Sequence, residues 1–382
     1  MVAAETALLA ANGHRVEQLI VDNRDLDARG MRARLRLAAG TVWSRDAARR
    51  VAAAATAMSA DVVHVHNFLP QLSPSIHGAA RATGAAVVQT LHNYRLICPA
   101  ATLFRDGRPC QDCRSLPVAL PGLVHACYRG SRAETAVVVT MLAVHRTRHT
   151  WARDVDAFVA LTPFAADRMS AGGIPRSRIA IKPNFTAVPP AGVEQPRSGF
   201  LFAGRLSEEK GIGVLLEAWR RSDGRATLRI AGDGPLAEVV AGAARADPRI
   251  AALGRLDADE LRAEMRRARG LVFPSVWYEG MPMTIVEAFA NGLPVIAFDQ
   301  GSMSDLVEHE RTGLLVTPGS ADGLAAAVRR LDDDAELASA LGARAAAEHG
   351  ARYTPEVNHG LLLAVYDRAI AHRHLEAVHA GT

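Results

Sequence analysis

Gly199-Phe200-Leu201-Phe202-Ala203-Gly204-Arg205-Leu206-Ser207-Glu208-Glu209-Lys210-Gly211 opens on an unbroken apolar run, turns at a glycine and continues into a helical pattern. A short continuous apolar run bounded by a turn reads as a strand buried on both faces, as in a parallel sheet. Glycine at a strand-to-helix turn lets the backbone approach a ligand, and the helix N-terminus that follows favours an anion. Arg205 adds a planar fork and Lys210 a point charge, a pair suited to a diphosphate. Of the 44 basic residues only two, Lys182 and Lys210, are lysines. In so arginine-biased a chain, a retained lysine points to a position that needs a compact ammonium.

The same strand-then-helix unit recurs on both sides of this stretch. Strands are expected at Thr227–Ala231, Gly270–Phe273 and Pro294–Phe298, and before it at His14–Val21, Asp61–His66, Ala85–Leu91 and Ala157–Leu161. A helix over residues 2–11, stopped by Asn12-Gly13, opens the chain. Proline-rich sequence from Lys182-Pro183-Asn184 to Pro196 reads as a linker. With 382 residues there is room for two domains, each with its own core. The expected architecture is α/β, two Rossmann-like doubly wound domains facing a cleft. They are residues 1–185, a linker 186–198, residues 199–355, and a C-terminal helix 356–382 packing back toward the first domain. Ligands of such sheets sit beyond the carboxyl ends of the strands.

Composition excludes several classes. At 49% hydrophobic, 22% charged and four cysteines, the chain is neither disordered nor a disulfide-stapled miniprotein. No apolar run reaches a bilayer-spanning length, and Met1 leads into Ala3-Ala4-Glu5 without the basic head of a signal peptide, so a cytoplasmic protein is expected. The net charge of +4 hides a split. Residues 1–190 carry 23 basic and 13 acidic side chains, and residues 191–382 carry 21 and 27. The densest basic stretch, Arg29 to Arg50, has seven arginines against Asp46, with Leu35, Leu37 and Trp43 between them. It reads as a solvated helix face or as a contact with an anionic membrane surface. No nucleic-acid-binding pattern accompanies the charge.

Further constellations bear on chemistry. Gly232-Asp233-Gly234-Pro235 is a second turn at a strand end. In Glu279-Gly280-Met281-Pro282-Met283-Thr284-Ile285-Val286-Glu287, Pro282 suits a first helical turn, which places Glu279 in the loop before the helix and Glu287 within it. Their helical separation of ~12 Å exceeds the ~5–10 Å of a glycosidase acid–base pair, and two carboxylates there accept hydrogen bonds from sugar hydroxyls instead. Asp332-Asp333-Asp334, ahead of Ala335-Glu336-Leu337, reads as a helix cap rather than a metal motif. In the first half, His64-Val65-His66-Asn67 and His92-Asn93 end neighbouring strands, and a period of two puts His64 and His66 on one face. Such histidines suit either substrate contact or a satisfied structural role. Cys98, Cys110, Cys113 and Cys127 fall within thirty residues. They can supply a tetrahedral thiolate zinc site, serve as a redox pair or stay free.

Together these blocks resemble glycosyltransferase family 4, retaining enzymes of the GT-B fold. The residues that carry the likeness are Gly204 to Gly211, Gly232 to Pro235, and Glu279 and Glu287 with seven residues between them. Phe273-Pro274-Ser275, Gly292-Leu293-Pro294-Val295-Ile296 and Gly313-Leu314-Leu315 extend it over nearly the whole chain. The resemblance implies a nucleotide-diphosphate sugar as donor and no metal or other cofactor for catalysis. Arg205 and Lys210 would hold the diphosphate and stabilise the leaving group, beside Gly204, Gly232 and Gly234. Glu279 would meet the donor sugar in the stretch Gly280, Met281, Pro282 and Met283, whose backbone N–H groups other than the proline's lie nearby, and Glu287 the ribose. His92 would take the place of the cleft histidine that contacts donor sugar or phosphate, with His66, Asn67 and Asn93 on the acceptor side. The partners expected are the donor, a glycan or lipid-linked acceptor and an anionic membrane surface.

Members of the family normally open with a strand and a glycine-rich loop, whereas the match here starts inside the first helix, near Glu5. The expectation is a chain short of its first strand and less stable than an extended one. That keeps open a non-catalytic nucleotide-sugar binder, and a GT-B epimerase or phosphorylase as a further alternative. A nicotinamide-dependent oxidoreductase would need G-x-G-x-x-G after a first strand and an acid ~20 residues on, which are absent from the sequence.

Overall fold

The computed structural model describes residues 1–23, 30–187, 196–222 and 224–380. Arg29, which opens the basic stretch, and residues 188–195 of the expected linker lie outside them. The chain divides into two compact units. Unit 1 comprises Met1–Arg105, Cys110–Lys182 and His359–Thr382, and unit 2 comprises Asp106–Pro109 and Pro183–Asn358.

Unit 1 is built on a parallel sheet of four strands, β1 (Val62–Val65), β2 (Ala86–Leu91), β3 (Ala157–Ala160) and β4 (Ile179–Ile181), in that spatial order. β2 and β3 are buried along their whole length, as central strands covered on both faces must be. The first helix, Val2–Ala11, forms where the sequence places it and ends as Asn12 donates its side-chain amide to Leu8 O at 2.8 Å. Residues 14–21, expected as a strand, form none. A short apolar stretch such as Leu19-Ile20-Val21 yields a strand only where a face is buried and a ladder partner exists. Val16 and Ile20 stay exposed, and the segment pairs with no described strand.

The last helix, Pro355–Ala380, contributes Val365 and Ala369, four residues apart, to a core with Ala86 and Val88 of β2 and Ala157 and Val159 of β3. Charge fixes it further. Buried Asp156 accepts from Val87 N at 2.8 Å and meets His372 Nδ1 at 3.0 Å and the Arg81 guanidinium, while Glu376 pairs with both Arg81 and Arg178.

Unit 2 holds a six-stranded parallel sheet. Its strands are β5 (Phe200–Ala203), β6 (Leu228–Ala231), β7 (Ile250–Gly254), β8 (Gly270–Phe273), β9 (Val295–Phe298) and β10 (Gly313–Val316). They lie in the spatial order β10-β9-β8-β5-β6-β7. The chain thus starts at β5, builds outward through β6 and β7, and returns to β5's other side with β8. This reversal is a topological switch point, the place beyond the carboxyl ends of the strands where such sheets bind ligands. Around the sheet, Ile212, Leu215 and Trp219 from the helix Ile212–Arg221 join Leu324, Val328 and Leu331 from the helix Ala321–Asp333 in one core. Trp219 satisfies its indole N–H on Ala226 O at 3.0 Å.

Candidate functional site

Three strand-end loops converge at the switch point of unit 2. Their glycines are required by contact as well as by dihedral. A Cβ on Gly211 (φ 75°) would sit 1.9 Å from Pro274 O, and one on Gly232 (φ 145°) 1.9 Å from Gly204 O. On Gly234 (φ 155°) it would lie 2.5 Å from Leu206 O. No side chain fits such approaches, so the β5, β6 and β8 loops are locked together by backbone. Leu206 N donates to Asp233 O at 2.9 Å and Val276 N to Glu209 O at 3.0 Å.

The lock brings Lys210 and Glu279, 69 residues apart, to an ion pair of 2.6 Å. The Lys210 ammonium also lies over the rings of Phe273 (5.5 Å) and Trp277 (5.6 Å), contacts that favour a cation. Glu279 is buried, and the same oxygen accepts from Ser275 Oγ at 2.8 Å. Ser302 braces the loop by donating to the carbonyls of Glu279 (2.8 Å) and Gly280 (3.0 Å). Ser302 and Trp277 were not singled out by the sequence; their roles depend on contacts that only the fold creates. Arg205, five residues before Lys210 on the same loop, is exposed.

Glu279 lies in the loop and Glu287 within the helix Met283–Ala290. Pro282 is the residue before the helix rather than part of its first turn, and no side chain caps that end. The first backbone N–H groups of such a helix have no intrahelical acceptor and suit an anion or sugar oxygen. Burial pushes the Glu287 carboxyl upward, opposed by the Arg262 charge. Asp334 caps the helix Ala335–Arg352 by accepting from Leu337 N at 2.8 Å, and Asp332 pairs with Arg269 at 2.9 Å. The aspartate run is structural.

In unit 1 the register Val65↔Gln89 aligns the ends of β1 and β2, so His66 and His92 emerge side by side. His66 Nδ1 and His92 Nε2 are 2.9 Å apart with the rings stacked at 5.2 Å. The His64 ring is 4.3 Å from that of His66, and its two nitrogens meet Thr90 Oγ1 (2.8 Å) and Tyr366 OH (3.0 Å). His64 is therefore a satisfied structural histidine. His66, Asn67, His92 and Asn93 line a cavity of about 310 Å³ with Arg95 and Tyr128.

Beneath the histidines, Glu5 Oε1 accepts from Lys182 Nζ at 2.6 Å and Glu5 Oε2 lies 3.4 Å from His66 Nε2. Lys182 is fully buried, which accounts for a lysine at this position. Burial holds His92 down at about 4 and lowers His66 and His64 as well; neighbouring histidines and Lys182 add to the effect on His92 and His64, while Glu5 opposes it on His66 and His92. All three imidazoles are neutral near pH 7 and act through hydrogen bonds rather than charge.

The four cysteines are free thiols. Burial raises Cys113 to about 11, with Cys98, Cys127 and Cys110 contributing in the same direction, and Gly122 N donates to Cys113 Sγ at 3.2 Å. Among the described residues no three of these sulfurs lie within 4.8 Å of one another.

Known proteins resemble both units. Residues 2–184 match the family model described as glycosyl transferase 4-like domain, and residues 197–334 the one described as glycosyl transferases group 1. The 2-deoxystreptamine glucosyltransferase of Streptomyces kanamyceticus is 31% identical over 332 residues, 81% of this chain and 78% of that protein. A glycogen synthase of Mycobacterium tuberculosis is 36% identical over 154 residues, where the match takes in 38% of this chain and only 37% of that protein's length. Among solved structures, sucrose-phosphate synthase from Thermosynechococcus elongatus superposes with a TM-score of 0.66 at 17% identity, covering 95% of this chain and 91% of that one. Anabaena HepE in complex with UDP gives 0.61 at 18%, covering 84% and 82%. By sequence and by fold, the chain belongs to the GT-B glycosyltransferases of the family 4 type.

Proposed function

We propose that the chain is a retaining, metal-independent glycosyltransferase that moves a sugar from a nucleotide-diphosphate sugar to an acceptor hydroxyl. The observation that carries this reading is the Lys210–Glu279 pair at the switch point of unit 2. An arriving diphosphate competes with Glu279 for the ammonium. Once it wins, it is held by Lys210 and Arg205, and Glu279 is released to accept hydroxyls of the donor sugar. The donor's C1–O bond breaks with its electron pair passing to the diphosphate, the acceptor oxygen bonds to C1, and the acceptor proton leaves with the diphosphate. Two fixed cations stabilise the charge that develops on the leaving group. Glu287 holds the ribose. His92, held against His66, and Asn67 and Asn93 offer hydrogen bonds to a sugar.

The test is turnover of a panel of nucleoside-diphosphate sugars with glycan and lipid-linked acceptors, reading the product's anomeric proton by NMR. The α-anomeric product from an α-linked donor is expected. Inversion contradicts the mechanism, and nucleotide binding without any transfer favours the non-catalytic binder.

The acceptor is proposed to be a polysaccharide or lipid-linked precursor at an anionic membrane surface. No helix among the described residues is long and apolar enough to cross a membrane. The helix Met31–Val42, however, leaves Met31 and Leu35 exposed beside Arg32, Arg34 and Arg36, the pattern of a helix lying in an interface. In flotation, the chain should rise with phosphatidylglycerol-containing vesicles and not with phosphatidylcholine alone; equal behaviour rejects the membrane part.

A further inference from the structure

The hydrogen-bond roles of the three imidazoles in unit 1 can be worked out from one end. Glu5, an ionised carboxylate beside the Lys182 ammonium, can only accept. Its Oε2 is buried and has no hydrogen-bond partner that meets full geometry; His66 Nε2 stands 3.4 Å away. A carboxylate at that place favours the proton of His66 on Nε2. A neutral imidazole then carries a lone pair on Nδ1, so the 2.9 Å contact between the rings must run from His92 Nε2–H to His66 Nδ1. That in turn leaves the lone pair of His92 on its own Nδ1, on a residue that lines the cavity.

We propose that Glu5 and His66 are positioning residues that fix His92 as the Nε2–H tautomer, so that His92 Nδ1 accepts a hydrogen bond from a sugar hydroxyl entering the unit 1 cavity. The ligand is thereby a hydroxyl donor rather than an acceptor at this point. This deepens the assignment of His92 above and rests on it. The relay is assembled from three separate places in the chain, the first helix and the ends of β1 and β2. A metal ion held by Glu5, His64 and His66, whose ligand atoms fall within 4.8 Å, is disfavoured because Lys182 already neutralises Glu5 and both nitrogens of His64 are engaged.

The experiment is two-bond 1H–15N spectroscopy of the full chain labelled at histidine, with the His92 signals assigned by His92→Gln. In the wild type, His92 is expected as the Nε2–H tautomer. In Glu5→Gln the amide can donate to His66 Nε2, which reverses the sense of the chain and moves the proton of His92 to Nδ1. Turnover should fall about tenfold or more in Glu5→Gln, with the donor KM nearly unchanged. A wild-type His92 protonated on Nδ1 overturns the relay even if Glu5→Gln fails to fold, and so does a tautomer that Glu5→Gln leaves in place. A reversed tautomer with wild-type turnover overturns the hydroxyl contact. Because the tautomers are read without substrate, failure of the relay is separable from failure of the transferase reading.

Discussion

Lys210→Ala lowers turnover by about 10²–10³-fold while the chain still melts cooperatively. The size follows from what is removed: a preorganised cation at the leaving group, comparable to one donor of an oxyanion hole. Lys210 sits over two aromatic rings and against Glu279, so its position is set before any ligand arrives and no reorganisation is needed when charge develops. The substitution also takes the cation away from the buried Glu279 carboxylate, which Ser275 Oγ meets at 2.8 Å. Lys210→Arg should recover little, because a planar fork does not reproduce a compact ammonium between rings. Steady-state rates against donor concentration check this, with melting curves as the control for folding. Turnover within threefold of wild type would remove Lys210 from the mechanism.

The second large effect concerns stability. Lys182→Met leaves the Glu5 carboxylate buried without its cation and should cost about 3–5 kcal/mol. Burying two charges is itself expensive, so the double variant Glu5→Leu with Lys182→Met should regain most of that loss. Urea unfolding of the three proteins measures both. A Lys182→Met penalty below about 1 kcal/mol, or a double variant no better than the single, contradicts the buried pair at 2.6 Å. The contrast with Lys210 is instructive. Both lysines pair with a glutamate at the same distance, but one is fully buried and the other is partly exposed.

Much of unit 2 was legible because its strands are continuous apolar runs and its loops carry glycines at fixed places. Phe200–Ala203 and Gly270–Phe273 are buried throughout, and burial on both faces writes itself into sequence as an unbroken run. The edge strand Ile250–Gly254 was not legible, since most of it is half or fully exposed and its pattern is that of a loop. Ile179–Ile181 is too short for any period to show. His14–Val21 erred the other way, carrying the apolar run Leu19-Ile20-Val21 without a ladder to join. The site divided along similar lines. Glycines, Arg205, Lys210 and the two glutamates stood out because local turn chemistry restricts them. Glu5 did not, because its importance comes from Lys182, 177 residues away, and from His66, and no local pattern encodes a contact of that range.

The most direct measurement of the central claim is a melting scan of the wild type with UDP, GDP, ADP and dTDP, repeated on Arg205→Ala and Lys210→Ala. A ligand at 100 times its Kd adds ~2.7 kcal/mol, enough to move a domain of this size by several degrees. The account predicts that one nucleotide stabilises the wild type and that its shift shrinks in both variants. A cooperative melt that no nucleotide moves, or a shift that both variants keep in full, would contradict it.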